Sequence, residues 1–182
     1  MTIKKTFDLA VQNHKKNNFQ VAENLYKEVL KINPNHFESI FLLGTLSIAI
    51  KNFDRAIQLL NQAILVRPNH AQSHGNLGAV YKELGEAKKA KTYYLKAISI
   101  QPNYADAHNN LGVVFNELGE AQKAISCYQK AINIQPDYAD AHYNLGNVLH
   151  KLNKHQEAIT SYEKVIQINP SYASAYYNLG NV

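Results

Sequence analysis

The stretch ADAHNNLGVVFNELGEAQKAISCYQKAINIQPDY, from Ala105 to Tyr138, decides the fold, because an altered copy of it stands immediately before it. Shifted by 34 residues it overlies the stretch from Ala71 to Tyr104 with 21 of 34 positions identical. Further outward, proline returns at Pro34, Pro68, Pro102, Pro136 and Pro170, and glycine at Gly44, Gly78, Gly112, Gly146 and Gly180. A fixed period of this length marks a chain of supersecondary units, each burying its apolar face only against its neighbours.

Inside the unit, Leu111, Gly112, Phe115, Ala124, Tyr128, Ala131 and Ile132 fall at helical intervals in two groups that part near Gly119. The spacing predicts two antiparallel helices, over 105–118 and 121–134. Pro136 ends the second, since proline lacks an amide donor and clashes with the preceding turn. Asn17, Gly85, Gly119 and Asn153 occupy the turn, and Gly and Asn enter the left-handed conformation most cheaply. Asn35, Asn69, Asn103 and Asp137 stand three residues before Glu38, Gln72, Asp106 and Asp140, the arrangement of a capping box that would start each first helix. Small residues at Gly112 and Ala124 predict a close approach of two helix backbones.

His108, Leu111, Gly112, Phe115, Ala124, Tyr128 and Pro136 resemble the tetratricopeptide repeat (TPR) pattern, with His in place of its usual Trp. The resemblance implies an all-α fold, a right-handed α-α superhelix of antiparallel helix pairs. It implies one array over 1–182, with units at 3–36, 37–70, 71–104, 105–138 and 139–172 and a partial unit at 173–182. The first unit is the most divergent, with Ala10 and Asn13 where Gly and Tyr are expected. The last stops partway through a first helix, leaving Leu179 and Val182 without the helix that should cover them, so a longer native protein and self-association through that end are both expected.

Composition narrows the function. No apolar run is long enough to cross a membrane, and the N-terminal stretch lacks the apolar core of a secretory signal, so a cytoplasmic location without membrane partners is expected. The net charge of +5 comes from 17 lysines and 2 arginines spread over helix surfaces, which reads as a solvated face and not as a nucleic-acid site. Cys127 has no cysteine to pair with and reads as a small helix residue. His74, His108 and His142 lie one unit apart, roughly 8 to 10 Å, too far to share a metal ion. No catalytic triad, paired carboxylates or phosphate-cradling loop appears, so neither catalysis nor a cofactor is expected.

Partner binding by TPR proteins uses the first helix of each unit. Carried over by position, that surface comprises Asp106, Asn109, Asn110, Val113 and Asn116, then Asp140, Tyr143, Asn144, Asn147 and His150, then Tyr177, Asn178 and Asn181. Asn76, Asn110, Asn144 and Asn178 recur at the period, each just before Leu-Gly, in mid-helix where asparagine is a poor former. A carboxamide both donates and accepts, so it can hold a peptide backbone without reading side chains. With helix pairs roughly 8 to 10 Å apart and an extended chain rising about 3.3 Å per residue, one asparagine would meet about every third residue.

This ladder is similar to that of the superhelical TPR region of O-GlcNAc transferases, although Asp8 and Leu42 replace asparagine in the first two units. The alternative reading of the same residues is that they tie neighbouring helices together. A carboxylate clamp of the chaperone-adaptor type is not expected, because its positions hold Phe7, Phe41, Gly75, Asn109 and Tyr143. In the second unit Phe41, Leu42, Thr45 and Ile48 make the same face apolar, suited either to a partner helix or to packing beneath the first unit. The function expected is therefore a scaffold binding an extended peptide or protein. Its rivals are a substrate-recruiting arm of a larger transferase and a self-assembling scaffold.

Overall fold

The computed structural model describes residues 2–182, and every regular element among them is an α-helix. In chain order these are α1 (Ile3–Lys15), α2 (Phe19–Ile32), α3 (Phe37–Ala49), α4 (Phe53–Val66), α5 (Ala71–Glu83), α6 (Ala87–Ile100), α7 (Ala105–Glu117), α8 (Ala121–Ile134), α9 (Ala139–Lys151), α10 (His155–Ile168) and α11 (Ala173–Leu179). The fold is all-α with a 34-residue period, and each odd-numbered helix begins at the residue where the sequence places a new unit. The chain divides into two compact units, 1–84 and 85–182, the division falling at the Leu84–Gly85 turn.

In residues 1–84, α1 pairs with α2, α3 with α4, and α5 packs on α4. Ala10, Ala22, Tyr26, Leu43 and Leu46 form one buried cluster and Phe37, Ile40 and Ala63 another. Leu42 packs against the first cluster, while Phe41 stacks on Phe37 and meets the His70 ring edge-on. The apolar face of α3 is thus spent partly on packing.

In residues 85–182, α7 pairs with α8 and α9 with α10, and α6, α8 and α10 pack on α7, α9 and α11 respectively. One residue set repeats through both units. Ala22, Ala56, Ala90, Ala124 and Ala158 are all 0% exposed, and Tyr26, Tyr94, Tyr128 and Tyr162 are the largest fully buried side chains. A Cβ on Gly112 would lie 2.6 Å from Cε1 of Tyr128, and one on Gly146 2.7 Å from Cε1 of Tyr162. What the small residue admits is therefore a tyrosine ring of the paired helix and not, as the sequence suggested, its backbone.

The turns carry positive φ at Asn17, Gly85, Gly119 and Asn153 as predicted, and also at Lys51, with φ 57°. The helices start where expected, but the capping residues lie one position later than the capping box placed them. The N-caps are His36, His70, Tyr104, Tyr138 and Tyr172, and not the preceding Asn or Asp. His36 Nδ1 accepts from the Ser39 amide at 3.3 Å and His70 Nδ1 from that of Ser73 at 3.2 Å. Asp106 and Asp140, freed from a capping box, instead accept the hydroxyls of Tyr138 (2.8 Å) and Tyr172 (3.0 Å), tying one unit to the next.

Candidate functional site

Within residues 85–182, α7, α9 and α11 enclose a groove of about 420 Å³. Val113 and Asn116 line it from α7, Asn144, Asn147, His150 and Lys151 from α9, and Asn178 and Asn181 from the last helix and its end. The rings of Tyr128 and Tyr162, both 1% exposed as whole residues, reach it from the paired helices. These positions coincide because i, i+3 and i+4 share a helix face, which puts Asn144, Asn147, His150 and Lys151 in one stripe.

Hydrogen bonds decide what each carboxamide offers. Asn144 Nδ2 donates to Asn109 Oδ1 at 3.0 Å. Asn178 Nδ2 donates to the Tyr143 hydroxyl at 3.1 Å and to Asn147 Oδ1 at 2.8 Å. The Tyr162 hydroxyl donates to the same Asn147 oxygen at 2.8 Å. Asn178 has thus used both of its donors between units and Asn144 one of its two, both keep their oxygens, and Asn147 has used its oxygen and keeps its amide protons. The residue 35 positions before a ladder asparagine decides whether such a tie exists. It is Asn109 for Asn144 and Tyr143 for Asn178, both able to accept, but Phe41 for Asn76, which is not.

The sequence-derived residues divide accordingly. Asn116, Asn144, Asn147, His150, Asn178 and Asn181 come together on the groove. Asn109, 5% exposed, faces inward as an acceptor, and Tyr143 sits between the Tyr162 and Tyr172 rings at 6.0 and 5.1 Å. Asn110 lies half-buried on α7, Tyr177 stands 73% exposed on α11, and Asn76 belongs to α5 in the other compact unit. Lys151 was not foreseen, although its i+4 spacing from Asn147 already placed it on the stripe. Tyr128 was read only as packing, yet it also reaches the groove.

Outside the groove, the histidines that recur at the repeat hold backbone carbonyls. Nε2 of His74, His108 and His142 donates to the carbonyls of Pro68, Pro102 and Pro136 at 3.0, 2.9 and 2.9 Å, anchoring the start of each first helix to the loop before it. A carbonyl only accepts, so each ring carries its proton on Nε2. Burial pushes the Cys127 thiol up to about 11, which keeps it protonated and unreactive at neutral pH. Burial, and then the bond to Asp140, push the Tyr172 phenol up to about 12. No group of three or more potential metal ligands occurs among the described residues, and no described helix is long and apolar enough to cross a membrane.

The TPR repeat pattern matches residues 80–119, 114–153 and 146–182, and a second tetratricopeptide repeat pattern matches 14–79. No protein of curated function matches the sequence. Among solved structures, MamA is 28% identical, with 91% of this chain and 96% of that one covered and a TM-score of 0.80. YrrB, described as a TPR protein with an unusual peptide-binding site, is 20% identical over 95% and 89% of the two chains, with a TM-score of 0.76. PilF of Pseudomonas aeruginosa is 16% identical over 95% and 79%, with a TM-score of 0.86. The last two likenesses are of fold alone.

Proposed function

Since the chain belongs to the tetratricopeptide repeat family, we propose that it is a protein-interaction scaffold whose groove in residues 85–182 holds an extended segment of a partner protein. The observation that supports this reading most is the sorting of the carboxamides. Oxygens remain at Asn144 and Asn178, amide protons at Asn147, and Asn116 and Asn181 make no side-chain hydrogen bond among the described residues. A peptide backbone alternates donors and acceptors and is met by such a row without any demand on its side chains. The buried ties also answer the cost of asparagine in mid-helix, so peptide contact and helix tying are two uses of one side chain.

Each hydrogen bond contributes about 0.5 to 1.5 kcal/mol net, and association itself costs several. Binding is therefore expected in the micromolar range or weaker. The test is to select linear peptides from a random display library on the full chain and compare their affinities for the wild type and for Asn110→Ala/Asn144→Ala/Asn178→Ala. The reading expects a loss of about tenfold or more with nearly unchanged helix content by circular dichroism. Equal affinity for both proteins would show that the ladder does not touch the peptide.

A further inference from the structure

The groove is not electrically even. Its described lining contains no carboxylate, and its cationic side chain, Lys151, makes no ion pair among the described residues. The lysine next along the chain, Lys154, is by contrast held by Glu157 on α10 at 3.0 Å. Lys151 stands four residues after Asn147, whose oxygen is consumed by Tyr162 and Asn178 so that only its amide protons face outward. His150 lies between them in the stripe. Its Nδ1 is buried without a partner and its ring rests on His155 at 5.6 Å, so Nε2 is the nitrogen left to face the groove. An unpaired buried lone pair costs less than an unpaired buried N–H, which places the proton of the neutral ring on Nε2 and makes it a third donor.

One objection is the helix end itself. The last carbonyls of a helix carry partial negative charge and repel anions. Here Val148, Leu149 and His150 have their oxygens occupied by the amides of Leu152, Asn153 and Lys154, at 2.9 to 3.1 Å, so the nearest of that charge is already compensated. What remains at this end of the groove is three donors, one of them fully charged, with no acceptor of their own.

Resting on the reading of the groove as a peptide site, we propose that its α9 end is a subsite for an acidic side chain of the bound segment, held by Asn147, His150 and Lys151. The oxygens of Asn144 and Asn178 take backbone amides alongside. The binding surface then reads one feature of sequence, an aspartate or glutamate at a fixed place in an otherwise backbone-recognised stretch.

The probes are the peptides selected from the random library on the full chain. Enrichment of Asp or Glu at one position is expected. Exchange of that residue for Asn or Gln should weaken binding about fivefold to tenfold, and much less against Lys151→Gln, an exposed substitution that leaves packing untouched. An equal cost of the exchange in wild type and variant overturns the subsite. So does a set of groove-binding peptides without any acidic preference, and the peptide site itself then stands. A phosphoserine preferred over both acids would reassign the subsite to phosphate. If no peptide binds, or if binding survives the triple asparagine variant unchanged, the peptide site falls and the subsite with it.

Discussion

At Gly112 a single hydrogen in place of a methyl group admits a whole ring. Tyr128 lies against it with 1% of its surface exposed, so an added Cβ must push the ring aside. Alanine would favour the helix by about 1 kcal/mol, but the clash of its Cβ costs more, about 1 to 3 kcal/mol. Gly112→Ala is therefore expected to lower stability in urea unfolding by about 1 kcal/mol, the middle of the net range of about 0 to 2 kcal/mol. Gly180 supplies the control, since it holds the same place in its unit but a Cβ there would meet nothing nearer than the Tyr177 carbonyl at 3.6 Å. Gly180→Ala should be nearly neutral. A Gly112→Ala protein as stable as wild type would mean that the ring moves aside freely.

Among the elements, turns and caps carry the next level of the argument. Lys51 stands where the other units place Asn or Gly and pays for a left-handed backbone with φ 57°. Lys51→Gly should stabilise residues 1–84 by about 0.5 to 1 kcal/mol, seen as a higher unfolding midpoint, and a lower midpoint would contradict the strain. The histidine caps add a pH dependence. Burial first, then Arg67 and His74, hold the His70 ring below its ordinary value of 6.5, with Glu38 opposing. The rings of Phe37 and Phe41 also pack on it. Protonation would remove the lone pair that accepts the Ser73 amide and set a positive charge at a helix start. Because the folded state binds this proton less readily than the unfolded one, stability is full above 6.5 and is lost as pH falls below 6.5 through the lower folded value. His70→Asn keeps a capping side chain that does not titrate, so the fall in unfolding midpoint on acidification should be shallower in this variant; an identical fall would place the dependence elsewhere.

The elements were the most legible part of the sequence. Period, helix starts and four of five turn residues follow from spacing and backbone chemistry that act locally. The cap position was misjudged because histidine and tyrosine lie outside the usual capping set, and only the turn geometry shows that the cap is the residue directly before the helix. The groove was legible as a stripe of polar positions. That the asparagines tie neighbouring helices was one of the two readings, but their partners, Asn109 for Asn144 and Tyr143 with Asn147 for Asn178, were not legible, since they depend on how residues 31 to 35 positions apart meet across units.

At the scale of the molecule, each compact unit has its own chemistry. Residues 1–84 hold both arginines of the chain, Arg55 paired with Glu23 at 2.9 Å and Arg67 with Glu38 at 2.7 Å while lying 4.1 Å over the Phe37 ring, and their α3 face is apolar. Residues 85–182 hold the amide-lined groove. A scaffold needs one surface that recognises and others that only support, and the groove lined by carboxamides with unspent hydrogen-bonding atoms lies in the second unit. The measurement that tests this most directly is a proton–nitrogen correlation spectrum of the full chain titrated with a selected peptide, read at the asparagine side-chain amides. The resonances of Asn116, Asn147 and Asn181 should move together with peptide occupancy. If they stay in place while residues of 1–84 shift, the groove is not the binding site.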